Sequence, residues 1–241
     1  MTPNHRCTWP ALLCLLALTG CANFAAHPPT PARKLDFSGL REPPPGEHFY
    51  VIVFGAESTP KLPRWTHSWG VFIHTAEQGP GRPPAIETHT ISWMPATLEI
   101  RPWCFHIEPP VNLNLHETLQ YVLGMGERVA QWGPYECRPE LYYRAVAQKQ
   151  FLESGRIGYQ CVDTVGEAGW LGNGSDCIHA ITDMDPLYSR SRYRLIRYGM
   201  AASRFIAREL QRRDMLLHPD QTQDWLNAYL GLDAYPIIHR G

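Results

Sequence analysis

His67-Ser68-Trp69-Gly70-Val71-Phe72-Ile73 is an apolar run rich in β-branched and aromatic residues and reads as a strand. Gly174-Ser175-Asp176-Cys177-Ile178-His179-Ala180-Ile181 reads as a glycine-containing loop opening into a helix. Side chains alternate along a strand, so His67, Trp69, Val71 and Ile73 share one face, and Ser68, Gly70 and Phe72 the other. In the second stretch Asp176 is suited to cap a helix that starts at Cys177, and Ala180 and Ile181 would pin that helix to a core. A thiol at a helix start lies in a field that favours thiolate. An imidazole is the usual group to take its proton and later return it. The pair predicts an α+β fold in which His67 and Cys177 meet as base and nucleophile.

The surrounding elements follow from the same rules. Residues 49–54 form a β-rich run closed by Gly55, and residues 86–91 place β-branched residues in a second strand. Residues 98–106 read as a further strand broken by Pro102, which makes the N-terminal half mostly antiparallel β. Asn114 with Glu117 three residues on forms a capping-box pattern, and Leu119, Val122, Leu123 and Val129 then recur at helical spacing. Pro139 opens a helix that ends at Ser154-Gly155. Residues 157–162 are a short extended piece or the start of a helix, Gly172-Asn173-Gly174-Ser175 is a sharp loop, and residues 193–198 suit a strand. Ala202, Phe205, Ile206 and Leu210 define an amphipathic helix, and residues 221–230 a last short one ending at Gly231.

The 241 residues suffice for one sizeable domain, and 44% hydrophobic against 19% charged residues is a globular balance. A formal net charge of −1 argues against bulk binding to nucleic acid. The N-terminal segment stands apart. His5 and Arg6 precede an apolar run over residues 9–18, too short to span a bilayer, that ends in Leu18-Thr19-Gly20-Cys21. This resembles a bacterial lipobox, in which Cys21 is lipidated and becomes the new N-terminus. Ala22 in the next position implies, by the same resemblance, the periplasmic face of the outer membrane. The expected organisation is therefore a signal peptide over 1–20, a proline-rich tether over 21–47, and one domain over 48–241.

Of the seven cysteines, Cys7 and Cys14 leave with the signal and Cys21 carries the lipid. Cys104, Cys137, Cys161 and Cys177 remain. In an oxidising compartment they could form two disulfides, which competes with a free nucleophile. Cys161, in Tyr159-Gln160-Cys161-Val162-Asp163, is the alternative nucleophile, although it lacks the loop-to-helix setting. His74 and His89 compete with His67 for the base. The three histidines could also bind zinc, but no ligand pair has helical i, i+4 spacing beside a glutamate. No metal and no cofactor is expected. An arginine-rich stretch (Arg190, Arg192, Arg194, Arg197, Arg204, Arg208) continuing to Arg212 and Arg213 is either a solvated helix face or a contact for anionic headgroups.

The order of a strand histidine before Gly-apolar-aromatic-apolar and a later helix-start cysteine resembles the circularly permuted NlpC/P60 papain-like superfamily, which includes the lecithin:retinol acyltransferase-like proteins. Their H-W-G-I-Y-V motif is similar to His67-Ser68-Trp69-Gly70-Val71-Phe72-Ile73, with His67 one residue further from the glycine. Their N-C-E-H-F-V motif is similar to Asp176-Cys177-Ile178-His179-Ala180-Ile181. The resemblance runs through scattered motifs from about residue 49 to 183. It implies an antiparallel sheet packed against helices, with Cys177 as nucleophile and His67 as base. It also implies a polar orienting group on the following strand, His89 or in its place Glu87, and an oxyanion donor in the Cys177 backbone N–H. The expected activity is that of a cysteine hydrolase or acyltransferase. Its expected partners are the membrane, through Cys21, and a cell-wall peptide or acyl-lipid substrate. The expectation from a different class is a non-catalytic envelope lipoprotein that keeps the fold as a binding module.

Overall fold

The computed structural model describes Ala32 and residues 36–37, 39–102, 104, 106–161, 173–184 and 198–240. The lipobox with Cys21, residues 193–197 of the strand predicted over 193–198, and Arg190, Arg192, Arg194 and Arg197 lie outside the described residues. In chain order the strands are β1 (Glu47–Glu57), β2 (Thr66–Ala76), β3 (Ala85–Ile91), β4 (Trp93–Pro95), β5 (Pro110–Asn112), β6 (Arg128–Glu136), β7 (Gly158–Tyr159), β8 (Gly174–Ser175) and β9 (Ile237–Arg240). The helices are α1 (Leu115–Gly124), α2 (Pro139–Leu152), α3 (Cys177–Thr182), α4 (Met200–Arg212) and α5 (Trp225–Tyr229). The protein is α+β. Its main sheet has five strands in the order β3-β2-β1-β6-β9, antiparallel except for the parallel β6–β9 pair.

The sheet is covered on both faces, which explains the long apolar runs of β1 and β2. Phe49, Val51, Val53 and Phe72 point into one core with Leu141 and Ala145 of α2, Ala180 and Ile181 of α3, and Ile206 and Leu210 of α4. Tyr50, Ile52, Phe54, Trp69, Val71 and Ile73 point into the other, with Leu115, Leu119 and Val122 of α1 and Leu226 of α5. The alternation expected for β2 is the one observed. The α1 cap is also as expected: Asn114 Oδ1 accepts the Glu117 N–H at 2.9 Å, and Glu117 Oε2 accepts the Asn114 N–H at 2.9 Å.

Five expectations need correction. Val129 is not the last turn of α1 but the second residue of β6, because the chain leaves the helix at Gly124 and turns at Gly126, whose φ is +75°. The described residues between 98 and 106 form no strand; this connection is irregular and is bounded by the short β4–β5 pair. Gly55 does not close β1 but lies inside it, and β9 adds a parallel edge where only antiparallel pairing was expected. The last part of the presumed tether lies against α2 instead of standing clear of the domain. Arg144 donates to the Ala32 carbonyl at 2.7 Å, Arg138 to that of Arg41 at 2.9 Å, and Phe37 stacks on Tyr143.

At Gly55 α4 approaches the sheet closely. A Cβ placed there would lie 2.6 Å from Ser203 Oγ and 2.9 Å from the Cα of Met200. Ser203 cannot retreat freely, since its hydroxyl donates to the Phe54 carbonyl at 2.7 Å and also meets Ser68 Oγ at 2.9 Å. Gly55→Ala therefore overpacks this contact and should lower the free energy of unfolding by about 1–3 kcal/mol, read as an earlier midpoint in urea denaturation.

Candidate functional site

His67 sits near the start of β2 with 1% of its surface exposed, its ring stacked on Trp69 at 5.4 Å between centroids. Its Nε2 is 2.9 Å from Ser92 Oγ, just beyond the end of β3. Ser92 Oγ is in turn 2.8 Å from Thr118 Oγ1, which is 2.7 Å from the Asn114 carbonyl. Counting hydrogens assigns the direction of this chain. A carbonyl that close to a hydroxyl oxygen needs a hydrogen between them, so Thr118 donates to Asn114. Thr118 then accepts from Ser92, and Ser92, its one hydrogen used, accepts from the Nε2–H of His67. The imidazole is thereby fixed with its proton on Nε2 and a bare lone pair on Nδ1. That Nδ1 is buried and has no hydrogen-bond partner. Burial also lowers the His67 pKa to about 3, so the ring is neutral at ordinary pH.

Cys177 is the first residue of α3, a helix of six residues capped by Asp176, whose Oδ1 accepts the N–H groups of Ile178 and His179, both at 2.8 Å. Asp176 Oδ2 lies 2.7 Å from His179 Nδ1. Burial opposes the Asp176 charge, but His179 and these two N–H groups outweigh it and hold the carboxyl below its usual value. The backbone N–H of Ser68, the residue next to His67, and the N–H of Cys177 itself both favour the thiolate of Cys177. This N–H is open because the β2–β3 ladder ends at Gly70–Ile91, leaving the edge of β2 uncovered at Ser68.

The thiol is not lowered as its place at a helix start predicted. Burial pushes it up, the Asp176 carboxylate adds to the effect, and the two N–H groups only partly offset them. Nor does a hydrogen bond join the sulfur to the ring. The His67 side chain lies on the α1 face beside Trp69, whereas α3 packs on the opposite face, where Ile181 approaches Gly70. The link between them is Ser68, which follows His67 in β2 and whose N–H acts on the Cys177 thiol.

His89 and Glu87 do not reach His67. They pair with each other at 3.1 Å on the α2 face, and His89 lies against Tyr142, opposite Phe72 in the register. The group that orients the imidazole is Ser92, itself held by the bond from its N–H to Asn112 Oδ1 at 2.7 Å. Its sequence signal is weak: one hydroxyl residue following the β-branched run of β3. His74 is bound to Glu47 at 2.9 Å, so the three histidines do not converge, and no metal-binding group of His, Cys, Asp and Glu exists among the described residues.

Cys161 lies near Cys177 because β7 and β8 pair in parallel, Tyr159 beside Ser175, two residues before each cysteine. Burial raises the Cys161 thiol to about 12, against the hydrogen bond from the Tyr159 hydroxyl, which is 3.4 Å from the sulfur. Cys104, Cys137, Cys161 and Cys177 all carry free thiols, and Cys137 is enclosed in the core. No helix among the described residues is long and apolar enough to cross a membrane. No family model matches the chain, and neither a curated protein nor a solved structure is significantly similar to it.

A histidine with a depressed folded pKa binds its proton more readily in the unfolded chain. Its contribution is complete above about pH 6.5 and is lost as the pH falls towards 3. Across that window His67 should cost the folded state about 4 kcal/mol. His67→Gln, which cannot titrate there, should show a correspondingly shallower fall in urea-unfolding free energy between pH 6.5 and 4, whatever its stability at neutral pH.

Proposed function

We propose that this chain is a cysteine hydrolase or acyltransferase of the papain-like, circularly permuted NlpC/P60 type, with Cys177 as nucleophile, His67 as base and Ser92 as the orienting residue. One observation carries the reading: among the described residues the one unpartnered nitrogen of a buried imidazole belongs to the residue adjoining Ser68, whose N–H favours the Cys177 thiolate. Such an orphaned lone pair needs an explanation, and a proton-transfer role is one. The hydroxyl on Nε2 does for this ring what a polar third residue does in any triad: it fixes the tautomer that leaves the other nitrogen free.

The chemistry follows from the protonation states. A thiol raised by burial and an imidazole lowered by burial form a neutral pair at rest, so the proton moves during attack. As the sulfur bonds to the carbonyl carbon of an amide or ester, Nδ1 takes the thiol proton. The imidazolium then gives it to the departing amine or alcohol, leaving a thioester on Cys177. Water completes a hydrolysis; a second nucleophile completes an acyl transfer. The step requires ring and sulfur to close the remaining gap around the open edge of β2. The Ser68 and Cys177 N–H groups are the donors nearest to where the oxyanion would develop.

The sequence supplies the setting. A lipid on Cys21 would hold the domain at the bacterial envelope, on the periplasmic face of the outer membrane. A cell-wall peptide is then the first substrate class and an acyl lipid the second. Cys21→Ser should move the protein from the membrane fraction to the soluble one.

Incubation with p-nitrophenyl acetate should give an acetyl adduct, located at Cys177 by peptide mass mapping, and the assay is then repeated on peptidoglycan fragments. Cys177→Ala should abolish the adduct, and His67→Ala should slow its formation by a factor on the order of 10² to 10⁴. Ser92→Ala should cause a smaller loss. An adduct that persists in Cys177→Ala and disappears in Cys161→Ala would move the nucleophile; no adduct on any thiol would leave a binding module. Because the pair is neutral at rest, alkylation of native Cys177 by iodoacetamide should stay slow through neutral pH, with no step near pH 6.5.

A further inference from the structure

A second site lies away from Cys177, towards the β9 edge of the sheet. A groove of about 1080 Å³ opens between α4 and the β6–β9 edge. Arg204, Arg208 and Arg212 recur every fourth residue along α4 and so form one ridge, with a rise of about 6 Å between neighbours. Arg240 and His239 of β9 face them across the groove, and Lys61 stands at one end. The floor is apolar, with Trp132 of β6 almost fully buried in it.

The charges in this groove are not balanced. The carboxylates that line it are already engaged: Glu57 by Lys61 at 3.1 Å and Arg128 at 3.2 Å, Glu209 by Arg212 at 2.6 Å and Arg213 at 3.4 Å. Among the described residues Arg204, Arg208 and Arg240 have no acidic partner, and all three are exposed. Like charges four residues apart on a helix repel, so Arg204 and Arg208 carry an electrostatic cost that no carboxylate among the described residues offsets. Guanidinium groups are planar forks suited to bidentate binding of phosphate, and an apolar floor accepts the organic part of such a ligand.

We propose that this groove binds a ligand bearing several phosphate groups, gripped by Arg204, Arg208 and Arg240. The site is independent of the chemistry assigned to Cys177. Phosphates of this kind occur on soluble molecules and on lipid headgroups, and the two sources are separable.

The test uses the full-length chain with Cys21→Ser as background, so that no anchor contributes. Calorimetric titration with sodium tripolyphosphate and co-sedimentation with vesicles of phosphatidylcholine containing phosphatidylglycerol are run side by side. Saturable tripolyphosphate binding, weakened roughly tenfold or more by Arg204→Glu with Arg208→Glu, is the expected result. The control Arg82→Glu, an exposed turn residue, should leave it unchanged. Binding to tripolyphosphate but not to vesicles assigns a soluble ligand; vesicle binding lost in the same double variant assigns a headgroup. The proposal fails if neither probe binds, or if binding survives the double variant or falls equally in Arg82→Glu. Circular dichroism of the double variant confirms that its helices persist, since the substituted side chains project into solvent.

Discussion

The run of β2 from Thr66 to Ile73 is buried at every residue, with helices packed on both faces of its sheet. That constraint shapes most of what surrounds it. Apolar side chains on such a strand gain from burial on either side, at about 25 cal/mol per Å² of apolar surface. Polar ones must find partners or remain costly. His67 and Ser68 are consecutive, so they face opposite cores and must be satisfied independently. Ser68 finds Ser203 of α4 through its hydroxyl, while its N–H favours the thiolate of Cys177. His67 finds Ser92 on one nitrogen and nothing on the other.

The polar chain from His67 through Ser92 and Thr118 to the Asn114 carbonyl links the sheet to the first turn of α1. The same Asn114 caps that helix through its side chain. One residue thus starts the helix and terminates the relay that sets the tautomer of the imidazole. A hydroxyl relay carries no charge, so it orients the ring without stabilising an imidazolium as a carboxylate would. This agrees with a ring that burial keeps neutral, and it places the proposed chemistry with a base that acts only during attack.

Much of the scaffold was legible because it depends on local rules. The Asn114–Glu117 box, Pro139 at the head of α2, Asp176 before Cys177 and the alternation of β2 all express interactions within a few residues. β6 and β9 were missed for the opposite reason. Val129 fits a helical spacing, and only the turn at Gly126 and pairing with β1, distant in sequence, make it a strand. β9 is four residues long and exists by virtue of the β6 edge beside it. In the candidate site His67 and Cys177 could be singled out by residue type and setting. Ser92 could not, since its role rests on where β3 ends relative to β2.

By itself the sequence determined an α+β chain with a histidine on a doubly apolar strand and a cysteine behind a capped helix start, because these are patterns of neighbours. Only the tertiary structure decided that the partner of the His67 ring is Ser92 and not His89, for strand alternation turns His89 towards α2 and away from His67. It also decided the electrostatics. A helix start lowers a thiol when solvent and dipole dominate, but here the enclosure of the sulfur and the carboxylate of Asp176 raise it. The balance between those opposing fields is a property of the packed molecule and cannot be read from the order of its residues.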